Sequence, residues 1–330
     1  DDGSGPAVFV AGRFTAVDRV AAGSIAKWDG TGWHALGGGV AGPYSVGDVF
    51  AVTVYRGELV GGGSFTFAGG VPAGGVASWN GSTWRPLGSG AGPNGIIRTL
   101  AVHDGELVAG FEFPFGSSVP NQIARWDGFS WKSMGGVAGT VYALASYGEE
   151  LIAGGNFLSI AGAEAPCIAR WNGIRWSALG TGMNNTVFSL IVRGDELFAG
   201  GDFTSAGGGS ARSIARWNGM EWSSLGAGII GTVRAMSVSN GDLIAGGSFN
   251  RAGGIPTNRI ARWNGSSWGP VGLGVNAQVD AVVVYNHEII VGGQFSRADG
   301  MLASGIARWT GGSWSAMGLG GAILGRVWAL

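Results

Sequence analysis

Histidine, cysteine and paired carboxylates build most catalytic and metal centres, and this 330-residue chain scatters the few it has. His34, His103 and His287 stand far apart, and Cys167 is the single cysteine. No H-x-H, H-E-x-x-H or C-x-x-C spacing occurs, so no zinc or copper centre and no cofactor is expected. One cysteine forms no disulfide within the chain. Gly265-Ser266-Ser267-Trp268-Gly269 fits the G-x-S-x-G pattern of a nucleophile elbow, but no helical pattern follows it and no histidine pairs with it. Gly37–Gly42 and Gly226–Gly231 fit G-x-G-x-x-G, yet each precedes a strand pattern, so no helix N-terminus would receive a pyrophosphate. Asn80, Asn184 and Asn264 begin N-x-S/T sequons, which matter only where the source glycosylates.

Aromatic and arginine chemistry is what the chain concentrates. It holds 15 Trp and 15 Phe, while 20 basic residues balance 21 acidic ones for a net charge of −1. No basic surplus exists to neutralise phosphates, so a nucleic-acid partner is not expected. No apolar run reaches the ~18 residues of a membrane helix, and no membrane insertion is expected. So many large apolar side chains also argue against disorder. Glycine, at 67 residues, lacks the three-residue period of collagen.

The elements that must position these side chains repeat. Trp-(Asn/Asp/Thr)-Gly-x-x-Trp occurs seven times, beginning at Trp28, Trp79, Trp126, Trp171, Trp217, Trp263 and Trp309, at intervals of 45 to 51 residues. Within one copy, Val187–Val192, Leu197–Gly200, Ile214–Trp217 and Trp222–Leu225 are short apolar segments bounded by Gly, Asn or Asp. These are strand and hairpin signals, and no segment holds a helical period. Four antiparallel strands in 40–50 residues mark a propeller blade. The expected fold is all-β, a seven-bladed β-propeller with four antiparallel strands per blade. The first copy lacks its first strand, and Gly325–Leu330 matches the first strand of the others, so the N- and C-terminal strands should complete one blade and remove two free edges. Residues 1–330 read as one domain, excised from a larger protein.

The unit resembles a kelch-type repeat. Gly pairs end the second strand (Gly62-Gly63, Gly154-Gly155, Gly200-Gly201, Gly246-Gly247, Gly292-Gly293), and two aromatics follow. Trp28 and its equivalents stand where kelch units usually carry Tyr, and the stretch before them is longer. The consensus also resembles repeats of secreted and cell-surface proteins, including cortical-marker-like proteins. The resemblance implies a propeller in an extracellular or cell-surface setting. It implies no activity, because propellers host many unrelated ones. The copper oxidases among kelch-type proteins need a Cys, Tyr and His constellation that is not evident here.

Alignment of the innermost strands isolates one variable position: Phe50, Arg98, Tyr142, Phe188, Arg234, Asp280 and Trp328, each followed by a small residue. Strand direction puts it at the end of the ring that carries the long loops. Aromatics and Arg are the usual anchors of binding sites, so these seven are the candidate ligand-binding residues; the competing expectation is that they plug the channel or pack between blades. At the opposite end, Glu58, Glu106, Glu150, Glu196, Asp242 and Glu288 should form a solvated negative rim, too wide to hold one cation. The place just before the first Trp holds Lys27, Ser78, Arg125, Arg170, Arg216, Arg262 and Arg308, and its arginines should either stack on a neighbouring blade's Trp or pair with a turn acid. The connections Gly37–Gly47 and Gly88–Gly95 and the altered pair at Gly110-Phe111 make the first three copies the irregular sector.

These features predict a non-enzymatic scaffold that binds protein or glycan on the loop face around the channel. The alternatives are a lectin-like binder with Trp/Arg sites between blades, a hydrolase or lyase on the irregular loops, and a structural filament or envelope component.

Overall fold

The computed structural model describes residues 5–42, 46–90, 95–114, 116–318 and 323–330. Parts of the two long connections, 43–45 and 91–94, lie outside the described residues. Among the described residues every regular element is a strand. The repeating unit is a four-stranded antiparallel meander, as in Val187–Arg193, Glu196–Gly201, Ile214–Trp217 and Trp222–Ser224. Two neighbouring meanders share one strand, Trp131–Tyr147, which pairs with Gln122–Trp126 at its start and with Glu150–Ile160 at its end. The loop between second and third strands forms a small ribbon in several copies, such as Ser205–Ala206 with Gly209–Ser210.

The W-N-G-x-x-W motif explains the outer hairpin. In the fifth copy, Asn218 Oδ1 accepts from the N–H groups of Met220 and Glu221 at 2.9 Å, an Asx turn that the side chain itself supplies. Gly219 follows at φ 95°, which glycine adopts without steric cost. The turn sets Trp217 directly opposite Trp222 with ring centroids 5.4 Å apart. Asp127 plays the Asn role in the third copy, and the N–H groups of Ser130 and Phe129 hold its carboxyl down to about 2.

The second Trp of each hairpin also latches neighbouring copies. Trp222 Nε1 donates to Leu179 O at 3.1 Å, Trp268 to Leu225 O at 3.0 Å and Trp314 to Val271 O at 3.0 Å. Trp33 does the same to Met317 O, which ties the last copy to the first. Replacement of Trp222 by Phe keeps the ring contact and leaves the Leu179 carbonyl without its donor. We expect a loss of about 1 kcal/mol, read as a lower midpoint in denaturant unfolding.

The core lies between sheets rather than within one. Ile152 and Ile168 of one sheet pack with Leu197, Ala199 and Ala215 of the next. Ile290 and Ile306 of the last full sheet pack with Val8, Val10 and Val327. The C-terminal strand Ile323–Ala329 pairs antiparallel with Val8–Val17, with Ala11 opposite Ala329 and Phe14 opposite Gly325. It touches both Val279–Tyr285 and Asp48–Tyr55, so the circuit of inner strands closes on itself.

Candidate functional site

Each variable residue of the inner strand is the extra residue of a β-bulge. Pairing with the second strand slips between Val49 and Ala51, Ile97 and Thr99, Val141 and Ala143, and Val187 and Ser189, leaving Phe50, Arg98, Tyr142 and Phe188 unpaired. The same slip skips Arg234 and Asp280, and skips Trp328 where Ala329 and Val327 face Ala11 and Gly12. A bulge re-aims one side chain without altering the rest of the ladder.

The Gly pair opposite the bulge has two separate tasks. A Cβ on the second glycine, Gly201, would sit on the Thr186 carbonyl oxygen that the bulge pushes across. The same holds for Gly155 with Thr140, Gly247 with Thr232 and Gly293 with Gln278. A Cβ on the first glycine, Gly200, would come 2.5 Å from Val233 Cγ1 of the next copy. The first glycine therefore sets the spacing between sheets, and the second lets the opposing carbonyl approach closely, while the bulge itself persists opposite Phe111 in the third copy. The third copy admits Phe111 in the second place, where its ring lies edge-on to Trp131 with centroids 5.1 Å apart.

The seven bulged side chains meet in one cavity of about 350 Å³, together with Arg326. All seven are half-buried. Phe50 stacks on Trp328 with centroids 4.7 Å apart, and Arg98 lies 4.5 Å over the Phe50 ring. Tyr142 and Phe188 are 5.4 Å apart, and Arg234 lies 4.9 Å over Phe188. Asp280 receives Arg326 through two hydrogen bonds of 3.0 Å, and Arg326 in turn lies over Trp328.

Sequence reasoning missed the charges that face this ring. Arg13 forks onto Asp48 at 2.5 Å, Arg98 pairs with Glu112, and Arg234 feels the field of Asp202. With Asp280 and Arg326, four arginines face four acids around the mouth. The signal was legible: the residue after each Gly pair, or after Gly12 and Phe111, is Arg13, Ser64, Glu112, Asn156, Asp202, Ser248 or Gln294, polar every time. Arg234 Nε and Asp202 Oδ1 are both buried without a hydrogen-bond partner in the protein.

Burial pushes the Asp202 carboxyl up, against the pull of its own N–H and of Arg234. A carboxyl whose pKa is raised on folding destabilises the fold where it is ionised, and that penalty is relieved as pH falls through the folded value toward the unfolded one near about 4. Asp202→Asn is therefore expected to unfold at a higher temperature than the wild type at neutral pH. The difference should fade on acidification, as thermal melts across pH would show.

The opposite rim is neutralised rather than negative. Arg125 pairs with Glu106 at 3.1 Å, Arg216 with Glu196 at 2.9 Å and Arg308 with Glu288 at 3.4 Å, and Arg170 and Arg262 reach Glu150 and Asp242. Of the two expected roles for these arginines, pairing with a turn acid is the one observed. Burial raises the Glu196 carboxyl, but Arg193 and Arg216 together outweigh it and hold it low. The second Trp of each hairpin thus spends its indole N–H on a neighbouring copy, and these guanidiniums face turn acids. His103 is buried against Ser146 Oγ at 3.0 Å, bridging neighbouring inner strands.

Residues 239–266 match a β-propeller domain of unknown function, DUF5122. Among solved structures the chain is similar to YCF48 bound to D1 peptide, with a TM-score of 0.53 at 14% identity over 90% of this chain and 94% of that one. The fold is a β-propeller. The GH74 enzyme of Niastella koreensis gives a TM-score of 0.56 at 14% identity, with 82% of this chain covering 45% of that one. The computationally designed Ika8 protein gives 0.50 at 13% identity over 90% and 83% of the two chains. No curated protein matches the sequence. In this propeller, the cavity lined by the bulged residues sits at the loop-bearing end of the inner strands.

Proposed function

We propose that the chain is a seven-bladed propeller that acts as a non-enzymatic binding module, and that its channel mouth receives a segment of a partner protein. One observation carries this reading: a constant bulge, built the same way in every copy, delivers a different aromatic or charged side chain into a shared cavity. A frame held fixed around a varied residue is how a repeat diversifies recognition. Four Arg and four acids give the mouth no net charge, which suits a peptide carrying both donors and acceptors beside an apolar side chain better than a polyanion. The peptide-bound state of YCF48 is compatible with this use of the fold.

A glycan is the second reading, favoured by the half-exposed Trp328–Phe50 pair beside Arg98, since flat aromatic faces and guanidinium donors also suit sugars. Selection from a displayed peptide library and binding to a glycan array separate the two. Trp328→Ala with Phe188→Ala should lower affinity for the selected peptides at least about tenfold, as expected for aromatic anchors. Peptides that bind the double variant unchanged would remove the mouth from the site.

A further inference from the structure

Arg259 breaks the repeat. At its place, just before the third strand, the third copy carries Gln122 and the others carry Ser24, Gly75, Cys167, Ser213 and Gly305, all small and none charged. The backbone there is left-handed in every copy but the third, with φ 63° at Ser24, 60° at Ser213 and 65° at Arg259. Ser24 and Ser213 spend the position on a hydrogen bond to the next copy, to Gly47 O and Gly231 O. Arg259 instead donates to Phe249 O at 2.9 Å and lines the groove between the sixth and seventh copies. At this position, where the backbone conformation costs about 1 kcal/mol or more, the other left-handed copies keep a small residue, and only the sixth places a long cation there.

The groove consists of two adjoining cavities of about 320 and 360 Å³ that share Arg259 and Asn276. The outer cavity adds Arg297, Asp299 and Leu273, and the inner one adds Ile230 and Gln278. Among the described residues neither Arg259 nor Arg297 forms an ion pair; Arg297 gives one N–H to Gly300 O at 2.7 Å. Two guanidiniums against Asp299 leave one positive charge, which matches a single carboxylate rather than a polyanion. The exposed flanks are aliphatic, with Ile230 at 47% and Leu273 at 71% exposure, whereas the one aromatic ring, Phe249, is buried. Sugars favour an open aromatic face, and this groove has none.

We propose that this groove is a second binding site, separate from the mouth, for an extended peptide segment with one acidic side chain between aliphatic ones. Its carboxylate would pair with Arg259 and Arg297, and its aliphatic neighbours would cover Leu273 and Ile230.

The test is an NMR titration of the whole protein, following the Arg Nε–H signals, with a blocked heptapeptide Gly-Leu-Ser-Glu-Ser-Leu-Gly, whose Leu side chains share the face of the Glu when the segment is extended. Its Gln and Lys counterparts and trigalacturonic acid serve as the other arms. The Glu peptide should give saturable shifts, and the Gln and Lys peptides much weaker ones. Arg259→Ser installs the residue that other copies tolerate and should weaken the Glu peptide about tenfold, the loss of one charge-assisted contact. Trp328→Ala should leave this titration unchanged. The proposal fails if the three peptides bind alike, if trigalacturonate binds and the Glu peptide does not, or if no peptide saturates by about 5 mM. It also fails if Trp328→Ala removes binding that Arg259→Ser spares, an outcome that would leave the mouth reading standing.

Discussion

Gly201→Ala is expected to destabilise the protein by about 3 kcal/mol, the cost of forcing a side chain into filled space. The new methyl would meet the Thr186 carbonyl oxygen, and backbone cannot be trimmed away to make room. Relief requires the Thr186 carbonyl and its strand to shift, which would also displace Phe188 at the mouth; the third copy, with Phe111 in the equivalent place, keeps its bulge. Gly200→Ala meets a side chain instead, Val233 Cγ1 at 2.5 Å. Its cost should therefore be partly recovered in the double variant with Val233→Ala, giving a positive coupling in a double-mutant cycle. No partner substitution should rescue Gly201→Ala. Gly209→Ala is the internal control: its nearest neighbour would be Ala206 O at 3.7 Å, and its melting temperature should match the wild type. Equal effects at Gly201 and Gly209 in denaturant titrations would show that the carbonyl contact does not govern the bulge.

Val327→Asp should be more damaging still. Val327 is fully buried, in the strand that pairs with Val8–Val17, and its side chain lies against Gly292 of the neighbouring sheet. A carboxylate there would lie in the apolar cluster of Val8, Val10 and Ile290 and would face desolvation worth several kcal/mol. We expect a loss of about 4 kcal/mol or more, with Val327→Ala costing about 2 from lost burial and the cavity left behind. Because this strand closes the circuit, cleavage by a protease should move to the Val8–Val17 strand in the Asp variant and not in the Ala variant. A melt of Val327→Asp no lower than that of an exposed substitution would mean that pairing of the terminal strands contributes little to closure.

The charged and aromatic side chains of the mouth divide into two groups by how they could be found. Phe50, Arg98, Tyr142, Phe188, Arg234, Asp280 and Trp328 stand out because they vary inside a constant frame, and variation within a repeat is visible in one dimension. Glu112 and Asp202 are marked by the polar place after the Gly pair, but Asp48 and Arg326 do not stand out in either way, since each acts through a partner in a different copy, 35 or 46 residues away. The turn acids show the same limit. Their composition reads as a negative rim, and only the cross-strand register reveals that Arg125, Arg216 and Arg308 neutralise them.

The strands and their hairpins follow from local signals: Asn-Gly turns, short apolar runs and a period that any copy reproduces. Those features need only neighbours in the chain to form, so the sequence alone determines them. The aim of the bulged residues, the two tasks of each Gly pair and the groove beside Arg259 belong to the tertiary structure. Each depends on how closely one sheet approaches another, a distance set by packed side chains and carbonyls from separate copies, and no local pattern encodes it.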